Sequence, residues 1–128
     1  HEGQITYTAM GLHKVLDLGQ RWEQESQLPL PLGINVVRRD LGESVAQRLS
    51  QALRESIQYA HAHPDEALEY AMQYGRGIDK ETCRRFVLMY VNDYTVTLGD
   101  EGRRALEHLY VKARSQHLIS EIPPIDPV

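Results

Sequence analysis

The sequence predicts an α/β chain in which helix dominates. Three observations carry that expectation. Residues 1–42 are mixed in texture, punctuated by Gly and Pro, and hold short β-favouring runs. Residues 43–119 repeat apolar side chains at the ~3.6-residue spacing of a helix face. The longest apolar runs are only a few residues, far short of the ~20 that a membrane-spanning helix needs, so no membrane partner is expected.

The elements follow in order. Gln4-Ile5-Thr6-Tyr7-Thr8 alternates polar with β-favouring residues and predicts a short strand. Lys14-Val15-Leu16-Asp17-Leu18 predicts a second. Asp17 then caps a helix over Gly19–Gln27, with Trp22 on its inner face and Glu23 and Glu25 outside. Leu28-Pro29-Leu30-Pro31-Leu32-Gly33 is barred from helix, because each proline fixes its own φ, lacks a donor and pushes the residue before it toward extended geometry. Ile34–Arg39 is a β-rich run that Asp40 and Gly42 stop. Val45, Leu49, Leu53 and Ile57 recur every fourth residue and predict a helix from Glu43 to Ala62. Pro64 opens a second helix, with Asp65 and Glu66 at its positive end and Ala67, Leu68, Ala71 and Met72 as its stripe. Gly75 and Gly77 stop it. Asp79 caps a third helix carrying Cys83, Phe86, Val87, Tyr90 and Val91, and Asn92-Asp93 break the chain. Asp100 caps a fourth, with Leu106, Leu109, Tyr110 and Ala113 inward. Ile122–Val128 is an extended, proline-rich surface tail.

Composition narrows the class. The 128 residues are 41% hydrophobic and 25% charged, with a net charge of -4. That length suits one domain of ~100–150 residues, able to bury roughly two thirds of its unfolded surface. The pI of 5.8 gives no reason to expect nucleic acid as a partner. A lone cysteine excludes a disulfide framework and any cysteine-built zinc site. The chain opens on His1-Glu2-Gly3 rather than Met, so it is expected to be a fragment or a processed product. A missing signal peptide then carries no information.

Few residues stand out chemically. His61 and His63 lie two apart, which on a helix turns them ~200° away from each other, so they cannot share a metal there. His108 and His117 lie nine apart, which is no ligand spacing, and His13 has no local partner, so all three are expected to face water. Cys83 lies among Thr82, Phe86 and Val87 and reads as a small buried hydrophobe rather than a nucleophile. The pairs Arg38-Arg39, Arg84-Arg85 and Arg103-Arg104 are expected to face water beside acidic partners. Gly75-Arg76-Gly77 lacks the lysine and the strand–helix setting of a phosphate loop. The tyrosines are expected to pack near the apolar stripes with their hydroxyls at the rim.

Several strings, taken in order, resemble a known family. They are His1-Glu2-Gly3 with Thr6-Tyr7, Gly11-Leu12, Asp17-Leu18-Gly19 with Trp22, Leu28-Pro29-Leu30-Pro31-Leu32-Gly33, and Tyr90-Val91-Asn92 followed by Leu98-Gly99 and Gly102. Together they resemble the C-terminal half of the 1,4-dihydroxy-6-naphthoate synthases of the futalosine route to menaquinone, over about residues 1–113. The Asp-Leu-Gly…Trp string is shared with the sibling chorismate dehydratases; His-Glu-Gly and Pro-Leu-Pro-Leu-Gly favour the synthase.

The resemblance implies the fold of type II periplasmic binding proteins, two lobes with the ligand between them, here as an incomplete, helix-rich C-terminal half. Residues 1–30 would end the second, smaller lobe. Residues 31–119 would hold the return crossing and the C-terminal part of the first lobe, and residues 120–128 the tail. The family's proposed general base is the histidine of His-Glu-Gly, here His1. The implied substrate is cyclic dehypoxanthinylfutalosine, a small molecule, split by a cytoplasmic lyase that needs no metal or redox cofactor. Most substrate contacts would lie in the half that is absent, so the 128 residues alone are expected to be inactive. Residues 1–30 are expected to expose an apolar face, leading to self-association or disorder. The alternatives are an exported solute-binding protein of the same fold, which a signal peptide upstream would favour, and the sibling dehydratase, which would act on chorismate.

Overall fold

A computed structural model describes residues 3–75 and 77–128. Among them every regular element is helical. The order is α1 (Gly3–Thr6), α2 (Leu18–Ser26), a 3-10 turn (Arg39–Leu41), α3 (Glu43–Ala62), α4 (Pro64–Met72), α5 (Lys80–Tyr90), α6 (Asp93–Val96) and α7 (Gly99–Ser115). No helix among these residues is long and apolar enough to cross a membrane.

The periodic helices form where the sequence places them. α3 has the expected bounds. Asp17 caps α2 through the amides of Gly19 and Gln20, and Asp79 caps α5 through those of Glu81 and Thr82. Pro64 opens α4, with Asp65 and Glu66 in its first turn. Asn92 breaks the chain by building a capping box with Thr95 at the start of α6. Gly77, at φ +77, takes the left-handed turn after α4 that a side chain would strain. Asp100 falls inside the first turn of α7 rather than at its cap, which is Leu98, and there its charge still meets the positive helix end.

The expected strands do not form, so the α/β expectation is corrected to helical for the described residues. A strand needs a neighbour to take its peptide hydrogen bonds, and no second strand is present among these residues. Gln4–Thr8 instead closes local bonds, Tyr7 N–H to Gly3 C=O at 3.0 Å and Met10 N–H to Thr6 C=O at 3.1 Å. Residues 12–17 and 29–38 run without regular structure, the latter as the prolines require.

By contact density the chain divides into two compact units. Unit 1 is the chain up to Val15 with Leu49–Thr97; unit 2 is Leu16–Arg48 with Leu98–Val128. In unit 1, α4 packs on α5, with Leu68 and Cys83 buried. In unit 2, Trp22, Ala46, Ala105 and Leu106 are buried. In unit 2, Arg39 pairs with Asp126 of the C-terminal tail at 2.6 Å, and Arg103 donates to the Ile125 carbonyl at 2.9 Å.

Many apolar side chains stay outside these small cores. The α3 stripe is expected to be buried, yet Val45, Leu49 and Leu53 are exposed. In the first 30 residues Met10, Leu12, Val15, Leu16 and Leu18 are exposed as well.

Candidate functional site

His1, the expected base, and Glu2 lie outside the described residues. Just after them, α1 leads into a turn that Gly11 completes at φ +70, with Leu12 N–H bonded to Tyr7 C=O at 2.9 Å. A Cβ added at Gly3 would meet nothing within 4 Å, so its freedom from a side chain serves no packing need within the described residues.

Unit 2 organises the Asp17-Leu18-Gly19…Trp22 string around one aromatic ring. Asp17 Oδ1 accepts from Gly19 N–H at 3.0 Å and Gln20 N–H at 3.1 Å. A Cβ at residue 19 would stand 3.3 Å from that same oxygen, a tight contact that glycine avoids. The cap starts the helix so that Trp22 faces inward. Its indole N–H donates to Pro29 C=O at 3.1 Å, tying α2 to the proline segment. Ser26 Oγ donates to Trp22 C=O at 2.8 Å and accepts from Leu28 N–H at 3.2 Å.

α7 closes over this ring. His108 meets Trp22 edge to face, with centroids 5.3 Å apart and planes at 75°. Lys112 Nζ stands 5.6 Å from the indole centroid and 2.9 Å from Glu25 Oε2, while Arg21 Nε is 2.6 Å from Glu25 Oε1. The bond from Lys112, then that from Arg21, hold the Glu25 carboxyl below the usual carboxylate range. The assembly positions backbone. The sequence predicts His108 to face water, and its contact with Trp22 emerges only in the fold.

Unit 1 contains an apolar cleft of about 330 Å³ lined by Ala71, Tyr74, Gly75, Ile78, Cys83, Phe86 and Val87. Cys83 is buried there, as expected of a small hydrophobe. The described lining offers no charged group to orient a polar substrate, so the cleft has the chemistry of packing rather than of acid–base work. Elsewhere in unit 1 several polar side chains are paired. Arg84 pairs with Asp65 at 2.8 Å. His63 stacks on Tyr59 with centroids 4.1 Å apart, and its Nδ1 lies 3.0 Å from Tyr59 C=O. Tyr59 donates its hydroxyl to Glu66 at 3.1 Å, and that carboxylate raises the phenol pKa. The tyrosines are more open than expected: Tyr59, Tyr70, Tyr74 and Tyr94 are exposed, with only Tyr90 and Tyr110 half-buried among the helix tyrosines. The paired arginines follow expectation at Arg38, bonded to Asp40, and at Arg39 and Arg84.

Comparison with known proteins places this architecture. A family model for menaquinone biosynthesis matches residues 1–115. A curated relative from Thermus thermophilus, named 1,4-dihydroxy-6-naphtoate synthase, is 42% identical over 123 residues, 96% of this chain and 45% of the relative. One of the same name from Streptomyces coelicolor is 35% identical over 124 residues, 97% of this chain and 44% of the relative. The crystal structure of a protein from Archaeoglobus fulgidus superposes with a TM-score of 0.89 at 51% identity, covering 93% of this chain and 45% of that one. The chain thus spans somewhat under half the length of the relatives it matches. By the extent of the family match and the identity to these relatives, the chain belongs to the menaquinone biosynthesis family.

Proposed function

We propose that this chain is the C-terminal part of a 1,4-dihydroxy-6-naphthoate synthase, a cytoplasmic lyase acting on cyclic dehypoxanthinylfutalosine. One observation carries the reading: two curated relatives that share the synthase name match 96% and 97% of the chain. The whole enzyme takes the two-lobed fold of type II periplasmic binding proteins. Residues 1–30 end its smaller lobe, and residues 31–119 return to and complete the larger one. The small-molecule substrate lies between the lobes, held mostly by residues from the part of the relatives that this chain does not match.

His1 acts as general base. An imidazole of ordinary pKa ~6.5 is mostly neutral at neutral pH and accepts a proton. Taking one carbon-bound proton starts an elimination that cleaves a carbon–carbon bond, releasing 1,4-dihydroxy-6-naphthoate and a small sugar-derived ketone, and formation of the aromatic ring drives it forward. Positioning supplies much of the rate, so the 128 residues alone are inactive.

The test joins this chain, upstream of His1, to the unmatched portion of the Archaeoglobus relative. In that chimera His1→Ala lowers kcat by about 100-fold or more, the usual contribution of a positioned base. Undiminished turnover removes His1 from the role.

A further inference from the structure

α2 is nine residues long. Isolated helices shorter than ~12–15 residues are marginal in water, so packing decides where α2 lies. Trp22 is its one buried side chain among the described residues. Two side chains of α7, one turn apart, meet the Trp22 ring: His108 with its plane at 75°, and Lys112 with its Nζ 5.6 Å from the centroid. The same Nζ lies 2.9 Å from Glu25 Oε2. Trp22 and Glu25 are three residues apart and so share a face of α2. One ammonium thus holds α2 at two points on that face. The indole N–H in turn donates to Pro29 C=O at 3.1 Å, so whatever fixes the ring also fixes the start of the proline segment.

We propose that Lys112 is a positioning residue of the lyase: through Trp22 and Glu25 it sets α2, and the smaller lobe with it, against α7 of the larger lobe. This rests on the proposed function, which assigns residues 1–30 to one lobe and residues 31–119 to the other. The boundary between the lobes then runs between α2 and α7, and the Lys112 contacts cross it. The role requires no contact with substrate. A charge at a half-open position suits it. The side chains of Lys112 and Glu25 are 47% and 41% exposed, so their pair breaks without leaving a bare charge buried. At such exposure an ion pair and a cation–π contact each contribute little. Lys112 therefore biases the lobes toward one setting rather than locking them. A site that is complete in only one setting has an apparent affinity that scales with the fraction of molecules in that setting.

The test uses the chimera carrying the unmatched portion of the Archaeoglobus relative. Lys112→Gln removes both the ion pair and the cation–π contact. It raises KM for cyclic dehypoxanthinylfutalosine by about two- to fivefold and leaves kcat unchanged, because saturating substrate restores the setting. Glu25→Gln keeps the ring contact and raises KM less. Lys112→Arg keeps both contacts and holds KM at the parent value. Without substrate, small-angle X-ray scattering gives a larger radius of gyration for Lys112→Gln than for the parent or for Lys112→Arg. A merely structural role would lower kcat through loss of folded protein and leave KM in place. That result overturns the proposal, and so does a radius that does not move. A chimera that turns over no futalosine derivative defeats the lyase reading instead, and the scattering still decides whether Lys112 sets the lobes.

Discussion

Glu25 shows how one exposed carboxylate joins distant parts of the sequence. Lys112 and Arg21 both bond it and lower its pKa below the unfolded value. A carboxyl shifted in that direction adds stability above its unfolded pKa and loses it as pH falls through the folded pKa. Glu25→Gln is therefore expected to lower Tm at neutral pH, with the difference from wild type closing as the pH falls through the acid range. Thermal melts followed by circular dichroism across that range check it. A difference that stays constant with pH would mean that the ion pairs contribute nothing. At this scale the caps are legible in the sequence, because Asp17 and Asp79 bond amides only two and three residues ahead. The Glu25–Lys112 pair is not, because 87 residues separate its partners and no local pattern links them. The Trp22–His108 contact is hidden for the same reason.

At the scale of elements, periodicity reports which residues share a face but not what covers that face. Leu49 and Leu106 both sit on predicted inward stripes, yet Leu106 is 4% exposed and Leu49 is 51% exposed. Leu106→Ala should cost about 2–4 kcal/mol through lost burial and the cavity left behind. Leu49→Ala in the same 128-residue chain should cost less than about 1 kcal/mol. Urea denaturation of the two variants separates them, and equal losses would mean that the α3 stripe is buried in solution. The strands are the complementary case. Alternation at Gln4–Thr8 and the β-rich run at Ile34–Arg39 reflect real local preference. A strand, however, is completed by a partner elsewhere, and none is available among the described residues. Helices such as α3 satisfy their own backbone, so their sequence suffices to place them.

For the whole molecule, the ordered strings from His1 to Gly102 were legible as a family resemblance, and the family match over residues 1–115 agrees with it. The site was less legible. The residue that the resemblance singles out, His1, lies outside the described residues, and the resemblance expects most substrate contacts in the length that the relatives carry beyond the match. The side chains of Leu32, Ile34, Val36, Leu49 and Leu53 stay exposed in the 128 residues. On the proposed function, completing this chain makes a naphthoate-forming lyase. The most direct measurement incubates the chimera, and the 128-residue chain beside it, with cyclic dehypoxanthinylfutalosine and follows product by chromatography. The chimera is expected to yield 1,4-dihydroxy-6-naphthoate, the chain alone none, and neither to turn over chorismate. A folded chimera that leaves the futalosine derivative intact, or that consumes chorismate instead, would contradict it.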